Sequence, residues 1–198
     1  MHIPTGPFAL LRREGRDHVE VLTGPVHTVA RLADLPLREG GPTGPDILAL
    51  VPYRQVRERG FTAVDDAAPL RYLRIAGHIE VPIADVVSAL PPHRPRIGPG
   101  RFDIDDAAYE QTVAAVLRDE IGHGEGSNFV IHRVYTAHVN GDPLTAALAA
   151  YGRLLTHERG AYWTFLIHTG DATFVGATPE RHVSVDDGQI MMNPISGT

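Results

Sequence analysis

The chain has 198 residues, of which 43% are apolar, so it is long enough to bury about 70% of its unfolded surface in a globular core. Its net charge of −6 is spread along the sequence, which argues against a nucleic-acid-binding surface, and the absence of cysteine excludes disulfides and thiolate metal sites. The apolar runs are too short to cross a membrane and the first residues lack the basic-then-apolar order of a signal peptide, so the cytoplasm is the expected compartment.

The first half of the chain is predicted to form antiparallel strands. Short apolar runs separated by Gly and Pro predict strands at 8–11 and 19–22, a buried strand at 46–52 and a strand pair at 70–79. A short helix is predicted at 85–90, ending at Pro91. Residues 91–100 contain four prolines and two glycines, which fits a linker and equally a surface crossing within one domain.

Two helices are predicted in the second half. The first has Asp105 or Asp106 as N-cap and Gly122 as C-terminal glycine, with an apolar face at helical spacing. That face consists of Tyr109, Val113, Val116, Leu117 and Ile121. The second helix opens at Asp142 and Pro143 and ends before Gly160. Its inward residues are Leu144, Leu148, Tyr151 and Leu155.

Strands are predicted around these helices. Alternation with period two predicts one strand over 128–139, and apolar runs separated by turns predict four more at 162–167, 173–175, 182–185 and 189–192. Strands that pair mostly with near neighbours, with a few helices laid against them, indicate an α+β fold of antiparallel sheets packed with helices.

The sequence supports neither a dinucleotide-binding loop nor a histidine metal site. The glycine-rich segment 122–126 follows a helix and precedes a strand, whereas a dinucleotide loop needs strand, loop and then helix, so that phosphate meets a helix N-terminus. Eleven histidines are present, but none forms a cluster with metal-ligand spacing. His132 and His138 share a strand face yet would lie roughly 20 Å apart in an extended strand, too far to bind one ion together.

Three segments, in this order, are distinctive: DEIGHGEGSNFVI at 119–131, GATPE at 176–180 and PISGT at 194–198. They resemble the chorismate-utilising enzymes, a family that includes anthranilate synthase component I and the aminodeoxychorismate and isochorismate synthases. Together with 50–55 and 160–171, they look closest to the phenazine-type 2-amino-2-deoxyisochorismate synthase. The resemblance covers essentially the whole chain and implies the front part of the anthranilate synthase component I-type sandwich.

Glu180 is the main candidate for catalysis. On the residues alone, an acid after a Thr-Pro turn is more often an exposed loop carboxylate paired with a neighbour such as Arg181. In the resembled family the glutamate of this segment protonates the departing C4 hydroxyl of chorismate. The resemblance therefore implies that Glu180 is a general acid.

Asn128 and the last three residues are the other candidates. Asn128 alone would be a cap at the start of a strand, but it aligns with the family position that steers the incoming nucleophile, and an amide suits ammonia, which needs orientation rather than deprotonation. Ser196, Gly197 and Thr198 match the turn that contacts chorismate in this family. Ser196 stands where the aminodeoxychorismate synthases carry a nucleophilic lysine, which argues against a covalent route to C4 amination.

The resemblance also implies parts that residues 1–198 lack. Family enzymes use Mg²⁺, whose ligands are expected beyond residue 198, and ammonia from a glutamine amidotransferase domain or subunit. We expect 1–198 to be the N-terminal part of one synthase domain, from an enzyme compatible with a homodimer, and to be inactive on chorismate alone. Without the rest of its sheet, strand 162–167 is expected to expose its edge and to promote aggregation.

Three functions remain open. The first is amination of chorismate at C2 with loss of the C4 hydroxyl, which forms 2-amino-2-deoxyisochorismate. The second is anthranilate synthase, which goes on to eliminate pyruvate. The third is a non-catalytic binding remnant that keeps only the front half of the fold.

Overall fold

The computed structural model describes residues 2–37, 44–186 and 188–193. These residues form strands and helices in an α+β arrangement, which confirms the predicted fold class. The strands are β1 (Phe8–Arg13), β2 (His18–Thr23), β3 (Val26–Val29), β4 (Ile47–Leu50), β5 (Leu70–Arg74), β6 (Gly77–Pro82), β7 (Ile97–Phe102), β8 (Tyr135–Val139), β9 (Trp163–His168), β10 (Thr173–Thr178), β11 (Arg181–Asp186) and β12 (Gln189–Asn193). The α-helices are α1 (Ile83–Ala89), α2 (Asp106–Ala115) and α3 (Pro143–His157).

The main sheet has five strands in the order β10-β9-β1-β2-β6, all antiparallel to their neighbours. One face packs against α1 and α3, and its core includes Phe8, Leu10, Val19, Tyr151 and Leu166, each with no exposed surface. The predicted strands at 8–11 and 19–22 are confirmed as parts of β1 and β2. Alternate residues of these strands point to the helices, so the apolar residues that recur at every second position form the sheet side of the core.

Helix α3 forms as its sequence predicts. The Thr145 amide donates to Asp142 Oδ2 at 2.7 Å, and Pro143 occupies the first turn, where its missing N–H costs nothing. Leu148 and Tyr151 are buried against the main sheet, with Leu144 and Leu155 packed beside them. Burial raises the pKa of Tyr151, so its hydroxyl stays protonated at physiological pH.

The opposite face of the main sheet meets a three-stranded sheet in the order β3-β5-β4. The shared core includes Ala9, Leu11, Leu22, Leu73 and Ile167. The predicted strand at 46–52 is shorter, since β4 ends at Leu50, and it is half-buried rather than buried because β4 lies at the sheet edge.

Two strands lie at 70–79 as predicted, but the prediction that they pair with each other is wrong. β5 belongs to the three-stranded sheet, whereas β6 pairs with β2 in the main sheet. Between them, the Ile75 amide donates to Asp46 O at 3.0 Å and the Ala76 amide to Thr23 O at 2.9 Å. The chain therefore crosses from one sheet to the other where the sequence pattern suggests a hairpin.

The predicted exposed edge at 162–167 is also wrong. β9 lies inside the main sheet, paired along its length with β1 on one side and β10 on the other. Exposed apolar side chains occur instead on β11 and β12, which pair only with each other among the described strands: Val183, Val185, Ile190, Met191 and Met192 are 47 to 72% exposed. The hairpins predicted for the last four strands are themselves confirmed.

The segment between α1 and α3 forms a separate layer of β7, α2 and β8. β7 begins at Ile97, so the later part of the possible linker is a strand paired with β8. Asp105 is the N-cap of α2, accepting from the Ala108 amide at 2.8 Å. After Ala115 the helix continues as a π-helical turn (Val116–Glu120) and then a 3-10 turn (Ile121–His123). The residue that ends it with a left-handed backbone conformation is Gly124, not the predicted Gly122.

The predicted apolar face of α2 is only partly covered. Among the described residues of α2 none is buried, and Leu117, in the turns that follow, is 56% exposed. The strand predicted over 128–139 is shorter, because β7 pairs with the chain only from Tyr135 onward and residues 128–134 have no neighbouring strand in the described structure.

In the described ranges there is no helix with the length and apolar character needed to cross a bilayer.

An ion pair joins the two sheets. Arg71 on β5 donates to both carboxylate oxygens of Asp171 at 2.8 and 2.7 Å, and to Thr169 Oγ1 at 3.2 Å. The hydrogen bonds from Arg71 and then Thr169 lower the pKa of Asp171 to about 2. Because this pKa lies below the ordinary carboxyl value, the pair stabilises the fold above about pH 4 and stops doing so as the pH falls toward 2.

We therefore expect Asp171→Asn to lower the melting temperature at neutral pH. The difference in melting temperature from the unsubstituted chain should narrow as the pH falls from about 4 and should be lost as it falls through about 2, as measured by circular dichroism melts. Glu14→Gln, in the exposed turn before β2, is the matched control for the loss of one carboxylate. A difference that stays constant with pH would mean that the Arg71 ion pair is not its cause.

Candidate active site

Glu180 lies where the main sheet passes into the β11–β12 ribbon. β10 pairs with β9 as far as Thr178, opposite Trp163, and Pro179 then ends the ladder because it has no N–H to donate. The Glu180 amide donates to Thr178 Oγ1 at 3.1 Å. The backbone of this half-buried acid is thus held directly after the last pair of the main sheet.

The glycine of the GATPE segment is required by its cross-strand neighbour. Gly176 pairs with Phe165, and a Cβ at position 176 would lie 2.7 Å from the far edge of the Phe165 ring. Only glycine lets the ring lie across β10 at this point. The motif glycine therefore serves packing that keeps β10, and Glu180 after it, against β9.

A row of stacked side chains supports the Glu180 turn. The Arg181 guanidinium lies 4.7 Å from the Tyr162 ring centre, Tyr162 stacks on Trp163 at 6.2 Å, and the Arg13 guanidinium lies 4.9 Å from the Trp163 ring. Arg13 Nε is also 2.5 Å from Glu20 Oε1. Sequence reasoning missed this row, because the β1–β9 register, which sets Arg13 opposite Trp163, is not visible in the spacing.

Asn128 lies in an exposed extended segment between Gly124 and β8. The segment is anchored around it: the Phe129 ring packs on Gly126, 2.8 Å from where a Cβ would be, and the Tyr109 hydroxyl donates to Ile131 O at 3.0 Å. Asn128 therefore precedes β8 on a loop, not within the predicted strand.

Arg133 attaches this loop to the β7–α2 layer. Its guanidinium lies 3.7 Å from the Phe102 ring centre, 5.0 Å from that of Tyr109, and 2.5 Å from Asp106 Oδ1. At the other end of the loop, hydrogen bonds from Arg118 lower the pKa of Asp119, which keeps that carboxylate ionised. Arg133 thus ties the chain just after segment 119–131 to α2, whereas the Arg118–Asp119 pair joins two neighbouring residues.

Ser196, Gly197 and Thr198 lie outside the described residues. The last described residue is Asn193, which pairs with Arg181 in the β11–β12 ladder. The chain therefore enters the 194–198 segment from a point opposite the residue that follows Glu180. The ribbon thus brings the residue after the GATPE segment opposite the residue before the PISGT segment.

The described part of the chain does not fit a magnesium site. Residues 2–37, 44–186 and 188–193 contain no group of three or more His, Asp or Glu side chains placed to hold a metal ion. No step of the chemistry is therefore assigned to a metal bound by these residues.

A family profile described as chorismate binding enzyme matches residues 60–198. The chain belongs to this family. The matched range includes all three segments named above, so the resemblance inferred from them is confirmed.

Two curated proteins from the same family are similar over almost the whole chain. Both are named "Anthranilate synthase, phenazine specific": that of Pseudomonas chlororaphis is 47% identical and that of Pseudomonas fluorescens 46% identical, each over 97% of this chain. A third, "Anthranilate synthase component 1 1" of Halobacterium salinarum, is 39% identical over 44% of this chain and 15% of its own length. The chain spans 31% of the length of each Pseudomonas protein.

Packing at Gly176 can be tested by substitution. Gly176→Ala should lower the free energy of unfolding by about 1–3 kcal/mol, since the added methyl overlaps the Phe165 ring in an already filled space. Urea unfolding followed by circular dichroism measures the change. Gly6→Ala is the control, because a Cβ at Gly6 meets nothing within 4 Å. Equal stability of the two variants would contradict the packing role.

Proposed function

We propose that this chain is the front part of an enzyme that aminates chorismate at C2 and expels the C4 hydroxyl. The product is 2-amino-2-deoxyisochorismate, with its enolpyruvyl group retained. The observation that carries the proposal is the position of Glu180: its backbone is held directly after the last pair of the main sheet, and the next residue, Arg181, pairs with Asn193, which precedes residues 194–198. The phenazine-specific relatives support it by name.

Glu180 acts as the general acid in this proposal. Ammonia forms a bond to C2, the two ring double bonds shift, and the C4–O bond breaks. A proton from the Glu180 carboxyl lets the hydroxyl leave as water. The half-buried position of Glu180 suits this role, because partial exclusion of water strengthens its interaction with the leaving oxygen.

Asn128 orients ammonia, and Ser196, Gly197 and Thr198 contact chorismate. An amide can donate and accept hydrogen bonds without removing a proton, which suits a nucleophile that is already neutral. Glycine at 197 allows close approach of the backbone to a substrate carboxylate, and the Thr198 hydroxyl adds a donor.

The remaining parts of the enzyme are proposed to lie outside this sequence. Chorismate is a dianion and this chain has a net charge of −6, so Mg²⁺ held by residues beyond 198 would offset the repulsion. A glutamine amidotransferase domain or subunit would supply ammonia. We expect a cytoplasmic enzyme, compatible with a homodimer.

Anthranilate synthase is the second candidate, because the similar proteins carry that name. This reaction shares the amination step and then eliminates pyruvate from C3 as the ring becomes aromatic. Glu180 and Asn128 serve both reactions equally, so they do not distinguish them. The elimination depends on whether a base reaches the C2 proton.

Glu180 can be tested in a longer chain, one that contains this sequence and has the full length of the Pseudomonas relatives. Glu180→Gln should reduce kcat by about 10²–10⁴ while chorismate binding is retained, because the amide keeps shape and hydrogen bonds but cannot donate the proton. Asn128→Ala should instead slow amination by mispositioning ammonia, and Glu110→Gln on α2 should behave as the unsubstituted enzyme. A Glu180→Gln variant with near-normal kcat would assign the acid to another group.

The two candidate reactions differ in product. With chorismate, Mg²⁺ and an ammonia source, the longer chain should form an aminated compound that retains the enolpyruvyl group, detected by chromatography with mass detection. Stoichiometric pyruvate and fluorescent anthranilate would favour anthranilate synthase instead. Residues 1–198 under the same conditions are the control, and product formation by them would show that this part is sufficient.

A further inference from the structure

The two outer strands of the main sheet differ in how their edges are protected. β6, at one edge, carries Glu80 and ends on Pro82, and a charge and a proline both discourage pairing with a further strand. β10, at the other edge, has the sequence TFVGAT, which contains neither a charge nor a proline. Among the described strands, β10 pairs only with β9. The outer edge of β10 is therefore uncharged and open to pairing.

The pairing with β9 shows which backbone groups of β10 lie on this edge. The Thr169 amide donates to Ala172 O at 2.9 Å, and along an antiparallel strand the residues that bond to the partner alternate with those that face away from it. Phe174 and Gly176 therefore bond to β9. Three residues direct their N–H and C=O groups away from β9: Thr173, Val175 and Ala177.

A cavity lies beside this edge on the α3 face of the sheet. It has a volume of about 480 Å³. Leu144 and Ala147 of α3, Val139 of β8, and Thr173 and Val175 of β10 all line it. The helix that covers the main sheet thus also covers the space next to its last described strand.

A second cavity lies beside the same edge on the opposite face. It has a volume of about 410 Å³ and is lined by Leu50 of β4, by Pro69 and by Phe174 of β10. Asp171 and Ala172, at the β9–β10 turn, border both cavities. The two cavities therefore flank the open edge of β10, one on each face.

This arrangement fits the side chains of one more strand. Successive side chains of a strand point to opposite faces of its sheet, so a strand paired with the outer edge of β10 would fill the two cavities alternately. Backbone hydrogen bonds supply affinity in such strand addition, and the side-chain cavities supply specificity. Because both cavities are lined mainly by apolar residues, the added strand should be apolar on both faces, as β9 is at Phe165, Leu166 and Ile167.

The extent of the chain indicates where this strand comes from. The chain covers 31% of the length of each Pseudomonas relative, so most of those proteins has no counterpart in it. A segment of the same molecule would be held near the edge at a high effective concentration, which a separate partner would lack.

We propose that the outer edge of β10 pairs with one further strand, apolar on both faces, that the longer enzyme supplies from outside residues 1–198. This inference rests on the proposal that the chain is the front part of a longer enzyme. It does not depend on which product that enzyme forms.

Amide hydrogen exchange at single-residue resolution tests the added strand. In residues 1–198, the amides of Thr173, Val175 and Ala177 should exchange faster than those of Phe174 and Gly176, which bond to β9. In the longer chain this alternation should disappear, and the three outer amides should slow by at least about 10-fold, because each hydrogen bond must open before its amide exchanges. Outer amides that still exchange freely in the longer chain would overturn the inference.

A cavity-filling variant tests the side-chain positions. Ala147→Phe on α3 fills the first cavity, so in the longer chain the outer amides of β10 should again exchange faster than the inner ones. Arg153→Phe, at an exposed position of the same helix, is the matched control and should leave the exchange unchanged. If circular dichroism shows that Ala147→Phe is unfolded, Val51→Trp makes the same test from the second cavity, at a residue that is 52% exposed. Outer amides that stay slow in a folded cavity-filling variant would contradict the proposal.

The source of the strand is tested separately. Residues 1–198 should sediment as a monomer in analytical ultracentrifugation, or as an oligomer in which the outer amides stay fast. A dimer whose outer amides slow as its concentration rises would assign the edge to a second copy and overturn the proposed source. If the longer chain forms no aminated product, the proposed function fails, whereas loss of the exchange alternation would still support the added strand.

Discussion

The double-sided pairing of β9 is the constraint on which the rest of the structure depends. β9 pairs residue by residue with β1 and with β10, and so fixes which side chains face each other across the sheet. The Phe165 ring fits only because Gly176 is opposite, and Trp163 meets both Arg13 and the end of β10. A slip of one residue would turn these side chains to the other face and remove the support of Glu180.

The candidate active site is built at the border between a well-packed part and a sparsely packed part of the molecule. The main sheet is covered by α1 and α3 on one face and by the three-stranded sheet on the other. Beyond Glu180, the β11–β12 ribbon carries apolar side chains such as Ile190, which is 72% exposed. The main sheet holds the backbone of Glu180, and the half-buried side chain lies next to an exposed ribbon, which leaves the acid accessible to a bound ligand.

Electrostatic contacts in this protein mainly position elements rather than provide energy. The Arg71–Asp171 pair joins two sheets, Arg133 joins the Asn128 loop to α2, and Arg181 joins two strands of the ribbon. Each is at least partly exposed, where an ion pair contributes little to stability. These contacts instead orient the elements that they join, since a planar guanidinium fixes the angle as well as the distance to its partner.

Local patterns in the sequence determined a large part of this protein. Period two in β1 and β2, the Asp142-Pro143 start of α3, and the GATPE and PISGT segments are all set by neighbouring residues, and the family was inferred from them. Tertiary structure decided the features that depend on distant pairing. It separated β5 from β6 and placed β9 inside the sheet. It also started β8 only at Tyr135, opposite the last residue of β7, and set Arg181 against Asn193 and Tyr162. The physical reason is that propensity and periodicity act over a few residues, whereas the partner of a strand or a guanidinium is chosen by the register of chains that the sequence separates widely.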